Sequence, residues 1–137
     1  MVEVRVEPTY GAAKKFIAAG LEDFNRRHMN AGTPKSFAVT ALDEGAARGG
    51  VMVEGVGAWM YLTLLWVEEG FRRRGFGTSL LQKAELEAKE RGAMGLLVDT
   101  FSFQAPDFYR KHGYSAYGQI ADFPQAGMVW HRFKKTL

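Results

Sequence analysis

The stretch that decides the fold is "LTLLWVEEGFRRRGFGTSLL", residues 62–81. An apolar run changes here into a helical pattern, through a turn that places three arginines, residues 72–74, beside Gly75 and Gly77. Glycine lets the backbone approach a ligand closely. A helix that begins near Gly77 directs its first unpaired N–H groups, and the positive end of its dipole, back at this turn. The turn therefore predicts a binding site for an anion such as a phosphate group.

Other interpretations of this turn remain open from the residues alone. A solvated basic turn with a glycine packing constraint gives the same pattern, since a lone G-x-G is a weak signal. A Walker-type P-loop requires Gly-Lys-Ser/Thr, which is missing here. A dinucleotide fingerprint requires a small residue where Leu80 stands, although Asp99 follows where such a fold places its ribose-binding acid.

Length and composition indicate one globular domain over residues 1–137. The chain has no cysteine, which excludes disulfides, thiolate metal sites and a cysteine nucleophile, and its three histidines are too far apart to suggest a metal site. The net charge of +3 suits an acidic small molecule without indicating nucleic acid. No apolar stretch reaches the roughly 20 residues of a membrane span, and the N-terminus has no signal-peptide core. We therefore expect a cytoplasmic protein without a membrane partner.

Hydrophobic periodicity predicts alternating strands and helices. The predicted strands cover residues 2–8, 36–43, 49–59, 59–67, 95–101, 114–120 and 127–135, and the predicted helices cover 10–30, 77–92 and 105–113. The segment "NAGTP", residues 30–34, is expected to end the first helix. Because a helix connects the two most apolar strands, the pattern predicts a mixed α/β domain with one parallel crossover.

Two motifs in this order resemble the GNAT superfamily of acyl-CoA N-acyltransferases. The phosphate-binding signature of that family, Gln/Arg-x-x-Gly-x-Gly/Ala, is matched by Arg72 to Gly77. A later helix in the family ends in Phe-Tyr-x-x-x-Gly-Phe/Tyr, which is matched by Phe108 to Tyr114. The resemblance covers about residues 59–117, and it implies a mostly antiparallel, twisted sheet with one splayed parallel strand pair and helices on both faces.

The resemblance also implies the ligand and its contacts. Acetyl-CoA would lay its pantetheine arm along the strand before the signature and its pyrophosphate on the amides of the turn, with no metal required. The implied cofactor-binding residues are Leu65, Trp66, Val67, Arg72, Arg73, Arg74, Gly75, Phe76, Gly77 and Thr78. Tyr109 matches a family tyrosine that protonates the coenzyme A sulfur, and its alternative role is that of a packed helix residue.

The implied reaction is acetyl transfer from acetyl-CoA to a primary amine of a small molecule or protein. The absence of cysteine favours direct attack in a ternary complex. The strand "YLTLLWV" lacks the glutamate that many relatives use as general base, so Glu54, Glu68, Glu69, Asp99 or a water remain candidates. The missing carboxylate also leaves open a coenzyme A-binding module without turnover. A homodimer and an acyl group longer than acetyl are equally open.

Five aromatic residues could line an acceptor pocket, although aromatic residues on central strands are more often core. They are Trp59, Tyr61, Trp66, Phe101 and Phe103. A nucleic-acid-binding domain is disfavoured because the basic pairs are scattered along the chain.

Overall fold

The computed structural model describes residues 1–29, 35–55 and 57–137, and it divides the chain into two compact units, Met1–Gly32 and Thr33–Leu137. In the first unit the helical pattern forms α1 (Tyr10–His28). Its last turns carry an ion pair between Asp23 and Arg27, 2.6 Å apart. The predicted end of this helix, at residues 30–34, lies outside the described residues.

The predicted strand at residues 2–8 is wrong, because the structure assigns no strand there. Alternation of apolar and polar residues expresses a preference for extended backbone, and a strand also needs a partner strand for its ladder of hydrogen bonds. Residues 2–8 have the alternating pattern, but they do not pair with a strand in the described part of the chain.

The second unit contains a six-stranded mixed sheet in the order β1-β2-β3-β4-β6-β5. Its strands are β1 (Phe37–Asp43), β2 (Ala46–Glu54), β3 (Trp59–Val67), β4 (Gly95–Phe101), β5 (Ser115–Ala121) and β6 (Val129–Thr136). Only the β3–β4 pair is parallel among these strands, and all other pairs are antiparallel. The predicted mixed α/β fold with one parallel crossover is therefore confirmed.

Two helices of this unit pack on its core. Helix α2 (Phe76–Glu90) connects β3 to β4 and buries Leu80, Leu81, Ala84 and Ala88, while Leu86 is half exposed. The chain leaves this helix through Gly92, whose φ of +90° favours glycine. The short α3 (Pro106–Lys111) buries Tyr109 against Phe133 of β6.

Where β3 and β4 begin to pair, Gly95 of β4 leaves room for a large side chain on β3. A Cβ at Gly95 would overlap the ring of Trp59 on the neighbouring strand. Trp59 is therefore part of the packing between the strands, as the core interpretation expected. None of the helices in the described part of the chain combines the length and the apolar character that crossing a bilayer requires.

Candidate active site

The parallel strands separate halfway along their length. β4 pairs with β3 from Trp59 to Leu62, and the last register pair joins Leu62 to Val98. β3 continues beyond this point to Val67, and β4 continues to Phe101. Over these last residues the facing edges of the two strands are not paired with each other.

A β-bulge at Thr63 lies where the separation begins. On β2, Met52 pairs with Leu64 and its neighbour Val53 pairs with Leu62, so Thr63 is an extra residue of β3. Its hydroxyl is 3.3 Å from the carbonyl oxygen of Met52, to which it donates a hydrogen bond. Bulges bend a strand and increase its twist locally. The bulge therefore gives a physical reason for the divergence of β3 from β4.

The separation opens a cleft of about 860 Å³. Eight of the ten residues predicted to bind the cofactor line it: Leu65, Trp66, Val67, Arg72, Arg73, Gly75, Gly77 and Thr78. The side chains of Arg74 and Phe76 do not, because the guanidinium of Arg74 lies 5.4 Å from the ring of Phe76 and 5.1 Å from that of Phe71.

The turn at the start of α2 presents uncapped amides. Arg73 and Gly75 adopt positive φ angles of +60° and +85°, which bend the backbone back before the helix. The first helical hydrogen bond runs from the amide of Ser79 to the carbonyl of Gly75, and no side chain caps the helix. Within the described residues, the amides of the first three helical positions, 76–78, therefore have no protein acceptor. Amides and helix dipole together favour an anion at this point.

The arginines of the turn are not equivalent. Arg72 donates a hydrogen bond from Nε to the carbonyl oxygen of Val67, 2.8 Å away, and so fastens the turn to the end of β3. The carbonyl of Val67 is consequently engaged by the protein. Trp66 pairs with Gly50 of β2, so of the predicted strand residues it is Leu65 whose backbone is left to face the cleft. Arg73 lines the cleft from the middle of the turn.

Tyr109 is only 5% exposed and lines the same cleft. Its ring packs edge-on against Phe108 and Tyr114. Burial raises the pKa of the Tyr109 hydroxyl to about 12, because the phenolate would lose solvation. The hydroxyl is therefore protonated throughout the neutral pH range, and it can donate a hydrogen bond into the cleft.

Of the four carboxylates considered as general base, the structure brings Asp99 into the cleft. Its Oδ1 accepts a hydrogen bond from Nε of Arg132, 3.1 Å away, and the same guanidinium donates to the hydroxyl of Tyr61. Glu54, Glu68 and Glu69 are not among the residues that line the cleft. Glu68 instead forms an ion pair with Arg48 at 3.3 Å. Within the described residues, no group of three or more carboxylate or histidine side chains could hold a metal ion.

The sequence interpretation missed several cleft residues. Phe108 lies where a Cβ at Gly77 would contact its ring at 3.5 Å, and Lys111 adds a cation to the same wall. Both lie in the "FYRKHG" motif, so their positions near Tyr109 on the same predicted helix could have identified them as cleft residues. Gln104 and Thr100 also line the cleft, and no pattern in the sequence marked them.

Comparison with known proteins agrees with this geometry. The acetyltransferase (GNAT) family profile matches residues 6–114. The chain is 37% identical over 111 residues to the blasticidin-S acetyltransferase of Streptomyces morookaense, which covers 80% of this chain and 81% of that protein. The crystal structure of an acetyltransferase from Bacillus cereus ATCC 14579 superposes with a TM-score of 0.89 at 33% identity, covering 98% of both chains.

A more distant structure shares the fold. It is an acetyltransferase from Bacillus anthracis str. Ames, solved in complex with acetyl coenzyme A, with a TM-score of 0.68 and 20% identity over 77% of this chain and 65% of that one. The fold, the two motifs and the relatives agree: this chain belongs to the GNAT family of acetyltransferases and is an N-acetyltransferase.

Proposed function

We propose that this chain, as one domain over residues 1–137, transfers an acetyl group from acetyl-CoA to a primary amine of a small molecule. The amine attacks the thioester directly while both substrates are bound. The observation that carries this proposal is the cleft between β3 and β4, which joins the uncapped amides of the turn to Tyr109 and Asp99. The absence of cysteine from the chain supports direct attack rather than a cysteine-bound acyl intermediate.

The turn supplies the donor site. The amides that begin α2 receive the diphosphate of acetyl-CoA, with the positive end of the helix dipole behind them and Arg73 beside them. From there the pantetheine arm follows the unpaired edge of β3 past Leu65, toward the point at which the strands separate. Backbone N–H groups at that point stabilise the negative charge that develops on the thioester oxygen.

The amine must lose a proton, since an alkyl ammonium has a pKa of about 10 and no lone pair for attack. Asp99 is the carboxylate of the cleft that can receive this proton, directly or through a water. Its Oδ1 is held by Arg132, so Oδ2 is the oxygen left to face a substrate. The same negative charge attracts the cationic acceptor before it is deprotonated.

Tyr109 acts on the leaving group. A phenol whose pKa is about 12 is a weaker acid than a thiol, whose pKa is about 8.5. Full transfer of the phenolic proton to the departing thiolate is therefore uphill. We accordingly assign Tyr109 a hydrogen bond to the developing thiolate, which lowers the barrier while the proton stays largely on the phenol.

We favour a small-molecule acceptor over a protein amino group because one relative is named blasticidin-S acetyltransferase. The test has two parts: calorimetry with acetyl-CoA, and release of free thiol with a panel that contains blasticidin S, polyamines, arylalkylamines and lysine peptides. We expect saturable binding of acetyl-CoA and thiol release with at least one small amine. Binding without thiol release from any amine would favour the coenzyme A-binding module that the missing strand carboxylate left open. Loss of acetyl-CoA binding itself would contradict both.

A further inference from the structure

A row of four aromatic rings runs from the cleft to the hairpin of β5 and β6. Phe101 and Phe103 are stacked almost parallel, with an interplanar angle of 7° and ring centroids 5.6 Å apart. Phe123 packs on Phe101 at 5.7 Å and on Trp130 at 5.6 Å. Of these four residues, Phe103 lines the cleft.

Phe103 differs from a core aromatic residue in its exposure. Its side chain is 61% exposed, whereas Phe133 of the core is fully buried. Stacking on Phe101 supports one side of the ring. A single exposed aromatic residue is ordinary on a protein surface, and Phe103 differs from such residues in how its backbone is held and in which residues share its cleft.

The backbone that carries Phe103 is fixed by hydrogen bonds on both sides. Gln104 accepts from the amide of Phe101 through its side chain, and its own amide donates back to the carbonyl of Phe101, both at 2.8 Å. Ser102 exchanges two hydrogen bonds with Val129 of β6, at 2.8 and 3.0 Å. A ring held in this way loses little further entropy when a ligand stacks on it.

Asp99 lines the same cleft and lies on the strand face that carries Phe101, on which Phe103 stacks. It lies two residues before Phe101 on β4, and side chains two residues apart on a strand point to the same face of the sheet. The other charged residues that line the cleft are Arg72, Arg73 and Lys111, which are all basic and repel a cationic amine. A cationic acceptor is therefore directed toward Asp99.

We propose that Phe103 determines acceptor specificity, and that the acceptor carries a flat, unsaturated ring close to its amine. The ring stacks on Phe103 while the ammonium approaches Asp99, and both contacts are of kinds that proteins use for such groups. This inference rests on the proposed function, because it concerns the acceptor half of the same cleft.

The experiment compares two amines of nearly the same shape, 2-phenylethylamine and 2-cyclohexylethylamine, of which only the first has a flat aromatic ring. KM values for each amine and for acetyl-CoA are measured in the unmodified protein and in Phe103→Leu and Phe103→Tyr, and Kd values of the amines are measured by calorimetry in the presence of coenzyme A. We expect the unmodified protein to prefer the aromatic amine. Phe103→Leu should raise KM and Kd for that amine by about 2- to 10-fold, as expected for loss of an aromatic pair. Phe103→Tyr should restore both values.

Phe123→Leu is the matched control, since Phe123 contacts the same Phe101 ring without lining the cleft. It should leave all three KM values within about twofold of the unmodified protein. Equal effects of Phe103→Leu on both amines, or an effect on acetyl-CoA alone, would overturn the inference while leaving acetyl transfer intact. Failure of the unmodified protein to acetylate any amine of the panel would instead contradict the proposed function, and this inference with it.

Discussion

Tyr109 is buried, and it is also the hydrogen-bond donor that we propose for the departing thiolate. Replacing it with phenylalanine keeps the ring that packs on Phe108, Tyr114 and Phe133 and removes only the hydroxyl. We expect kcat to fall by about 100-fold, the usual cost of losing one well-placed donor, while KM for acetyl-CoA stays within about twofold. Steady-state kinetics from pH 6 to 9 test this, and the shape of the pH profile should not change because the pKa of Tyr109 is about 12. An unaltered kcat would remove Tyr109 from the mechanism.

Glycine is required at position 75 because of the backbone conformation there, and not because a larger side chain would clash. Its φ is +85°, although a Cβ there would meet nothing within 4 Å. Alanine in this conformation costs about 1–2 kcal/mol, and relief of that strain would displace the amides of the turn. We expect Gly75→Ala to raise the Kd for coenzyme A about tenfold by calorimetry.

Gly70 provides the control for this change, since it also has open space around it and does not have a positive φ. Gly70→Ala should leave the Kd for coenzyme A unchanged. If Gly75→Ala bound coenzyme A as tightly as the unmodified protein, the phosphate would have to be held elsewhere.

At the scale of elements, α2 both closes the core and presents the amides of the turn. Leu81 is fully buried on its inner face, and Leu86 on the same helix is 51% exposed. Leu81→Ala should lower the free energy of unfolding by about 2–5 kcal/mol, through lost burial and the cavity left behind. Leu86→Ala should change it by no more than about 0.5 kcal/mol. Urea unfolding of the two variants checks the difference, and equal losses would contradict the orientation of the helix.

The crossover from β3 through α2 to β4 was predictable because its signals are local. β3 and β4 begin and end at the predicted residues, Trp59 to Val67 and Gly95 to Phe101, since continuous apolar runs bounded by turn residues have few alternatives. The strand predicted at residues 2–8 lacked such support. Its alternation was equally clear, and pairing is a property of two segments rather than one.

At the scale of the whole molecule, two buried tyrosines couple folding to alkaline pH. Burial raises the pKa of Tyr109 from 10.0 to about 12, and burial together with the nearby Glu85 carboxylate raises the pKa of Tyr114 well above its usual range. Burial favours the neutral form of both hydroxyls, so their ionisation destabilises the folded protein. Their stabilisation is therefore complete below pH 10, where the unfolded tyrosines are also neutral. For Tyr109 it is lost as the pH rises from 10 through 12.

For Tyr109 this loss amounts to about 3 kcal/mol by pH 12. We expect urea unfolding to show a free energy that declines steeply above pH 10, with a shallower decline in Tyr109→Phe, which has no phenol to ionise at that position. Identical declines in the two proteins would show that Tyr109 is solvated in the folded state.

The sequence by itself determined the turn and the elements of the sheet unit, although the strand predicted at residues 2–8 was wrong. The glycines, the arginines and the helical stripe of α2 act through neighbours along the chain, so their effects on backbone conformation and on the amides of residues 76–78 could be inferred without a fold. Tyr109 and the strand residues Leu65, Trp66 and Val67 were inferred through the family resemblance, whereas the arginines and glycines of the turn were also inferred from their physical properties.

Only the tertiary structure decided which side chains share the cleft. Of the four candidate carboxylates it brought Asp99 into the cleft, and the pairing of β4 with β6 brought Arg132 to one oxygen of Asp99. It also brought Phe103 and Asp99 into one cleft. The Asp99–Arg132 contact joins residues 33 positions apart, so it exists only after β4 and β6 have paired. The cleft likewise exists only where β3 diverges from β4 beyond the bulge at Thr63.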